Sequence, residues 1–155
     1  MPIDRNATLR INLAWIKDIQ EAKKILDNSS HYIYLDYPMG RTKPPKPTIK
    51  LEEALKLTSH HKVKYFAISN SEDPKYLENI LNKIGNTILV PKVETEKGIK
   101  NIQGMIDIGI KYIMLDKEDL YVDIGCDSDK FNELVDEARS YKNINVLELK
   151  GVVFI

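Results

Sequence analysis

Charged side chains follow two apolar segments of the sequence, and their types and spacing could do chemistry on an anion. Lys92 and Glu94 come after the apolar run 88–90, and an acidic stretch, 116–119, follows a second run, 112–115. Carboxylates can hold a divalent cation, and a lysine beside them can stabilise a developing oxyanion. Because Lys92 and Glu94 are two residues apart, an extended chain points both side chains the same way. Two neighbouring strands would bring these groups together at the carboxyl edge of a sheet.

Alternating strand and helix patterns can position these groups. Apolar and β-branched runs predict strands at residues 8–13, 31–36, 64–68, 87–90, 111–115 and 145–149. Between them, apolar residues at helical spacing predict helices at residues 17–28, 51–58, 72–84 and 96–108, and another helix capped by Asp127 or Ser128. This pattern is repeated βα units, and right-handed crossovers make such a sheet largely parallel. We therefore expect an α/β fold.

Length and composition limit the classes of protein to consider. The 155 residues fit a single domain spanning 1–155, with 43% apolar and 30% charged residues. Because 23 basic residues balance 23 acidic residues, the charge gives no argument for nucleic acid or an anionic membrane. No apolar run approaches the roughly 20 residues that span a bilayer. With one cysteine, Cys126, and no signal-peptide pattern at the N-terminus, we expect a cytoplasmic protein.

Two segments at the predicted sheet edge resemble pyruvate kinase and, more broadly, the phosphoenolpyruvate/pyruvate-binding TIM-barrel superfamily. ILVPKVETEKGIKNI, residues 88–102, is similar to the family stretch IISKIEN-EGV-N. IMLDKEDLYVDIG, residues 113–125, is similar to IMVARGDLGVEI. Weaker matches keep the same chain order, namely LRINLAW, YLDYPMGRTK, YFAISNSED and NINVLEL. The resemblance implies a barrel-like α/β fold and a ligand such as phosphoenolpyruvate, pyruvate or a related 2-oxo acid.

Matched residue by residue, the resemblance also implies roles at the strand ends. Lys92 matches the catalytic lysine that stabilises the enolate of pyruvate, and Arg10 matches a phosphate-contacting arginine, which we assign to catalysis. Glu94 and Asp119 match the two carboxylates that hold Mg²⁺ or Mn²⁺. Asp116 is interpreted as part of a solvated loop. The remaining implied site residues are Arg41, Thr95 and Lys117 for substrate binding, and Asn12 and Asp36 for a monovalent cation.

The sequence departs from the pyruvate kinase pattern at positions that matter for phosphate transfer. Glu118 and Tyr121 stand where the family has glycines that let the backbone approach a phosphate. Trp15 and Tyr37 replace a histidine and a threonine near the monovalent-cation site, so we do not expect K⁺. The segment 37–50 is too short to hold the lid domain. We therefore do not expect an ATP-forming kinase.

A second branch of the superfamily, the HpcH/HpaI aldolase and citrate-lyase group, is matched about as well. Its IETREAMKNL and GPADLSADMG-like stretches are similar to VETEKGIKNI and KEDLYVDIG, and Glu94 and Asp119 again match the metal ligands. Those enzymes make or break a carbon–carbon bond beside a pyruvate enolate. Lys92 favours the pyruvate kinase branch, and the segment 123–125 favours the aldolase branch. A third hypothesis is a non-catalytic module that keeps the fold for binding or assembly.

The number of predicted strands is too small for a closed barrel. Eight strands close a TIM barrel, and the sequence predicts six, or seven if the apolar segment 152–155 is counted. The fold class expected is therefore an incomplete or shortened TIM-barrel-like parallel sheet. The sheet could stay open, adopt a different strand order, or pair with a second chain. Because both edges are apolar, we expect a homodimer that covers them.

Overall fold

Six parallel strands form one sheet in the computed structural model, which describes residues 6–70 and 72–148. The strands are β1 (Thr8–Asn12), β2 (Tyr32–Tyr37), β3 (Val63–Ile68), β4 (Ile88–Val93), β5 (Tyr112–Leu115) and β6 (Asn145–Leu147). Each strand pairs in parallel with the next strand of the chain, in the order β1-β2-β3-β4-β5-β6. This arrangement confirms the predicted α/β fold of repeated βα units in a shortened barrel-like sheet. Among the six described strands the order is therefore not rearranged.

Seven α-helices lie within the described residues. They are α1 (Ile19–Asn28), α2 (Leu51–Leu57), α3 (Pro74–Leu81), α4 (Glu96–Lys100), α5 (Ile102–Asp107), α6 (Lys117–Asp123) and α7 (Ser128–Ser140). Five of them begin after a residue whose side chain accepts a hydrogen bond from a first-turn N–H, which satisfies a donor that the helix leaves unpaired. These capping residues are Asp18, Asp73, Thr95, Asp116 and Asp127. Within the described residues, no helix combines the length and apolarity needed to cross a bilayer.

Three differences from the sequence-based prediction affect the elements around the charged residues. The predicted helix 96–108 is interrupted at Asn101, whose side-chain amide donates to the carbonyl oxygen of Glu72 (3.0 Å) and whose backbone adopts φ −92° and ψ 0°. Asp116, predicted to lie in a solvated loop, is instead the capping residue of α6. Strand β4 continues beyond the predicted end to Val93, so Lys92 belongs to the strand. The predicted segment 152–155 and the end of the predicted strand 145–149 lie outside the described residues.

Apolar side chains cover both faces of the sheet, and the two faces have different roles. One face packs against the helices and includes fully buried Phe66 and Ile33. The opposite, inner face carries a smaller cluster made of Tyr34, Ala67, Val90 and Met114. Side chains alternate along a strand. The inner face therefore continues toward the carboxyl edge with Asp36, two residues after Tyr34, and with Lys92, two residues after Val90.

Candidate functional site

Lys92 lies at the centre of a group of carboxylates from β2 and from the residues that directly follow β4 and β5. Its ammonium nitrogen is 3.2 Å from Glu94 Oε1, 3.9 Å from Asp116 Oδ2 and 4.0 Å from Asp36 Oδ2. Lys92 is only 8% exposed. Burial by itself would lower the pKa of Lys92, but the charges of Asp36, Glu94 and Asp116 outweigh burial and raise that pKa. Lys92 therefore stays positively charged at neutral pH.

Glu94 directly follows β4 and is the most buried of the proposed metal ligands. Burial raises the pKa of the Glu94 carboxyl, the Lys92 ammonium offsets part of that rise, and Asp119 and Asp116 add to it. The glutamate thus carries its negative charge at a cost in free energy, because the neighbouring acids repel it and water is largely excluded. A further positive charge beside Glu94 would remove this cost.

Glu94, Asp116 and Asp119 form a cluster of oxygen donors between the ends of β4 and β5. One carboxylate oxygen from each residue lies within 4.8 Å of the others. The local fold explains the approach: the Asp116 N–H donates to the carbonyl oxygen of Val93 (3.0 Å), which joins the two strand ends. The Asp116 carboxylate then accepts from the Asp119 N–H (3.2 Å) at the start of α6. Helix capping therefore fixes the backbone of Asp119 beside Asp116, and its carboxylate lies within reach of Glu94.

The cluster includes one residue that the sequence analysis did not assign to it. Asp116 was predicted to be a solvated loop residue, but its side chain is 20% exposed and takes part in both the carboxylate cluster and the Lys92 ion pairs. The available signal was the spacing of Asp116 and Asp119, since an aspartate three residues before another acidic residue is typical of a helix start.

Half-buried Arg10 and fully buried Asp36 form an ion pair on the inner face next to Lys92. The Arg10 Nε donates a hydrogen bond to Asp36 Oδ2 (2.9 Å), and the Arg10 Nη2 donates a second hydrogen bond to the same oxygen. The Asp36 side chain is only 1% exposed, and its Oδ1 has no hydrogen-bond partner among the described residues. Strands β1 and β2 are adjacent, which brings the two side chains together. Arg10 is therefore held by Asp36 at the border of the site.

The other sequence-predicted residues make their contacts elsewhere. The Asn12 side-chain oxygen accepts from the Ala14 N–H (2.9 Å) and caps the short 3₁₀ helix Leu13–Trp15. The Arg41 Nε donates to the carbonyl oxygen of its loop neighbour Lys43 (2.9 Å). In this arrangement Arg41 lies folded on its own loop.

Thr95 and Lys117 also have partners outside the carboxylate cluster. The Thr95 hydroxyl donates to Glu72 Oε2 (2.6 Å) and accepts from the Gly98 N–H (3.0 Å). The Lys117 ammonium lies 3.3 Å from Glu148 Oε2. Of the residues predicted from the sequence, the structure thus brings together Arg10, Asp36, Lys92, Glu94 and Asp119.

The chemistry of the site fits a divalent cation. Two positively charged residues, Arg10 and Lys92, face a larger number of carboxylates. The four carboxylates are Asp36, Glu94, Asp116 and Asp119. When all four carboxylates are ionised, the group keeps two uncompensated negative charges. One Mg²⁺ or Mn²⁺ ion would neutralise them. Carboxylate oxygens are also the donors that such hard cations prefer.

Comparison with known proteins identifies the fold. No protein-family model matches the sequence, and no curated protein matches it. Among solved structures, RipC from Yersinia pestis has a TM-score of 0.60 at 13% identity, with 92% of this chain and 74% of that chain covered. An HpcH/HpaI aldolase from Desulfitobacterium hafniense DCB-2 has a TM-score of 0.58 at 9% identity, with coverages of 84% and 62%.

A third similar structure is the citrate synthase SbnG, with a TM-score of 0.51 at 11% identity and coverages of 87% of this chain and 73% of that chain. At these identities the similarity concerns the fold alone. The chain spans between 62% and 74% of the length of the three structures, which agrees with its six described strands. None of the three is named as a pyruvate kinase. The chain therefore has a shortened TIM-barrel-like fold, similar to that of an HpcH/HpaI aldolase.

Proposed function

We propose that this chain is a divalent-metal-dependent carbon–carbon lyase that acts on a small 2-oxo acid. The observation that carries the proposal is the excess of negative charge in the group of carboxylates around Lys92. This group lies at the carboxyl edge of a barrel-like sheet. This edge is where enzymes of the fold place their active sites. The fold similarity to an HpcH/HpaI aldolase supports the aldolase hypothesis over the pyruvate kinase hypothesis.

In this proposal Glu94, Asp116 and Asp119 hold Mg²⁺ or Mn²⁺. When bound, the cation supplies Lewis-acid stabilisation of negative charge on a substrate oxygen. The three residues reach the cation from the end of β4 and the start of α6, which are rigidly joined by the backbone hydrogen bond between Asp116 and Val93. Rigid placement matters because charges that are already oriented stabilise a transition state without reorganising.

Lys92 provides the second positive charge of the proposed site. Its raised pKa keeps the ammonium protonated, so it can donate a hydrogen bond to an enolate oxygen as negative charge develops there. Asp36, held in turn by Arg10, keeps the lysine side chain on the inner face of the sheet. Arg10 is thus a positioning residue in this proposal.

The proposed reaction on a 4-hydroxy-2-oxo acid is an aldol cleavage. The bond between C3 and C4 breaks, and its electron pair remains on the three-carbon fragment as the enolate of pyruvate. A base takes the proton of the C4 hydroxyl, and C4 becomes the carbonyl carbon of the aldehyde that is released. Protonation of the enolate at C3 then gives pyruvate, so that atoms and charges balance.

A second candidate function is a module that binds a metal and a 2-oxo acid without turning it over. The observation that favours it is the engagement of the three predicted substrate-binding residues in other contacts. Arg41 donates to its own loop, Thr95 donates to Glu72, and Lys117 pairs with Glu148. None of these three contacts is with the carboxylate cluster.

Calorimetric titration of Mn²⁺ and then oxalate, which mimics the pyruvate enolate, tests both candidates. We expect oxalate to bind only when Mn²⁺ is present, and this binding to be lost in Asp119→Asn. The matched control is Glu118→Gln, because Glu118 is an exposed neighbour outside the carboxylate cluster.

A parallel assay measures pyruvate released from a 4-hydroxy-2-oxo acid in the presence of Mn²⁺. Release by the wild-type chain and not by Asp119→Asn supports the lyase. Metal-dependent oxalate binding without pyruvate release supports the module. If Mn²⁺ and oxalate bind equally well to Asp119→Asn, both candidate functions are wrong about where the ligand lies.

A further inference from the structure

A large concavity lies at the edge of the sheet opposite to the carboxylate cluster. It has a volume of about 890 Å³ and is bordered by the amino ends of β2, β3 and β4 and by the carboxyl ends of α2 and α3. Ligand pockets are commonly about 300–1,000 Å³. The concavity is therefore large enough for a small molecule, and none of its lining residues belongs to the carboxylate cluster.

The lining of this concavity is strongly basic. The lining includes three lysines, Lys56, Lys64 and Lys83, and two histidines, His60 and His61, whose rings stack 4.6 Å apart. No aspartate or glutamate of the described chain lines it. Since the whole chain has 23 basic and 23 acidic residues, this concentration of positive charge does not follow from composition.

The three ammonium groups have no acidic partner. Among the described ion pairs none involves Lys56, Lys64 or Lys83, and all three residues are exposed. The two helix carboxyl ends that face the concavity carry about half a negative charge each at most. Together they offset about one of the three lysine charges, so the concavity keeps a net positive charge.

Two threonine hydroxyls and the His60 ring beside the concavity already have partners within the chain. The hydroxyl groups of Thr58 and Thr87 donate to the carbonyl oxygens of Leu55 (2.5 Å) and Thr58 (2.9 Å). His60 Nε2 lies 2.8 Å from Asp27 Oδ1, and its Nδ1 accepts from the Lys62 N–H (3.1 Å). Because these groups are engaged within the chain, an anion in this concavity would be held by the lysines.

Tyr32 adds an aromatic surface to the same concavity. Tyr32 is 54% exposed. The ammonium groups of Lys62 and Lys64 lie 5.8 and 5.7 Å from the centre of its ring. Aromatic rings beside lysines favour ligands that combine a flat base with phosphates, since the ring can stack while the ammonium groups neutralise charge.

We propose that this concavity binds a small polyphosphate, either as a free phosphate chain or as the phosphate tail of a nucleotide. Lys56, Lys64 and Lys83 contact the phosphates, and Tyr32 contacts the base when there is one. A compact anion with several charges fits best because all three lysines border the same concavity. The site is separate from the proposed lyase site and does not depend on it.

Calorimetric titration of the full chain with inorganic tripolyphosphate tests the proposal. The buffer contains no divalent cation, so that the carboxylate cluster does not contribute. We expect binding that weakens as ionic strength rises, and an affinity about tenfold lower in the double variant Lys64→Gln/Lys83→Gln. The matched control is Lys43→Gln/Lys46→Gln, which removes the same charge from two exposed positions in the loop between β2 and α2.

Titration with ATP under the same conditions separates the two sources of phosphate. Tighter binding of ATP than of tripolyphosphate, lost in Tyr32→Ala, identifies a nucleotide; equal binding of the two identifies the phosphate chain alone. Absence of tripolyphosphate binding, or an equal loss of affinity in both double variants, overturns the proposal. Circular dichroism of each variant confirms that the exposed substitutions leave the fold intact.

Discussion

The change Glu94→Gln should have opposite effects on the stability of the metal-free protein and on its response to Mn²⁺. Without metal, the Glu94 carboxyl has a raised pKa because it is buried and lies near Asp119 and Asp116. A raised pKa means that protonated Glu94 favours folding and ionised Glu94 opposes it. The favourable contribution is fully present below the pKa of Glu94 in the unfolded chain and is lost as pH rises through its pKa in the folded chain. Glutamine keeps the shape and removes the charge, so we expect the metal-free variant at pH 7 to be at least as stable as the wild type.

The effect of Mn²⁺ can be estimated from mass action. At a Mn²⁺ concentration of about 100 times Kd, binding to the native state adds about 2.7 kcal/mol. For a chain of 155 residues, each 1 kcal/mol shifts Tm by about 2–4 °C, which gives a rise of about 5–11 °C. Because Glu94 is the most buried residue of the carboxylate cluster, the change Glu94→Gln should abolish most of this rise in Tm.

Differential scanning calorimetry with and without Mn²⁺ measures both effects in one experiment. Glu118→Gln is the control, because it removes an equal charge from an exposed neighbour outside the cluster. Two results would refute the reasoning: a Mn²⁺-dependent rise in Tm that persists in Glu94→Gln, or a rise that is lost equally in Glu118→Gln. The first would show that Glu94 does not hold the metal, and the second that the loss follows from net charge rather than from the cluster.

Three further predictions follow from the same contacts. Arg10→Met should destabilise the fold by about 3–5 kcal/mol in urea denaturation, because it leaves the Asp36 carboxylate buried without its main partner; an Asp36→Asn change added to Arg10→Met should recover part of the loss. The Tm rise caused by Mn²⁺ should shrink as pH falls from 7 toward 5, since Glu94 gains a proton at a higher pH than an ordinary glutamate; a pH-independent rise in calorimetry would contradict this. Phe66→Ala should cost about 3–5 kcal/mol in urea denaturation without changing the Kd for Mn²⁺, since Phe66 lies on the helix-covered face, away from the cluster.

The sequence predicted where the strands lie and at which edge the charged residues meet. Alternating apolar runs are set by local periodicity, so all six described strands were anticipated to within a few residues at their boundaries. Lys92 and Glu94 are two residues apart, and strand geometry alone places them on one side. The partnership of Lys92 with Glu94 was therefore accessible without coordinates.

Contacts between distant segments could not be predicted in the same way. Arg10 pairs with Asp36 across two strands, and Asp116 faces Lys92 because a helix begins where the sequence suggested a solvated loop. Likewise, nothing in the local pattern indicated that Lys117 would pair with Glu148 at the far end of the chain. Such partners depend on tertiary distances, which periodicity and spacing do not encode.

The charged group around Lys92 depends on a residue that carries no charge. Asp36 and Lys92 belong to β2 and β4, which are separated by β3, and the β3 residue in register with Asp36 is Ala67. Its methyl group is short enough for the aspartate and the lysine to approach over it, to 4.0 Å. The larger side chain of a leucine at this position would keep Asp36 and Lys92 apart. The ion pair between Asp36 and Lys92 across β3 thus depends on the small volume of Ala67.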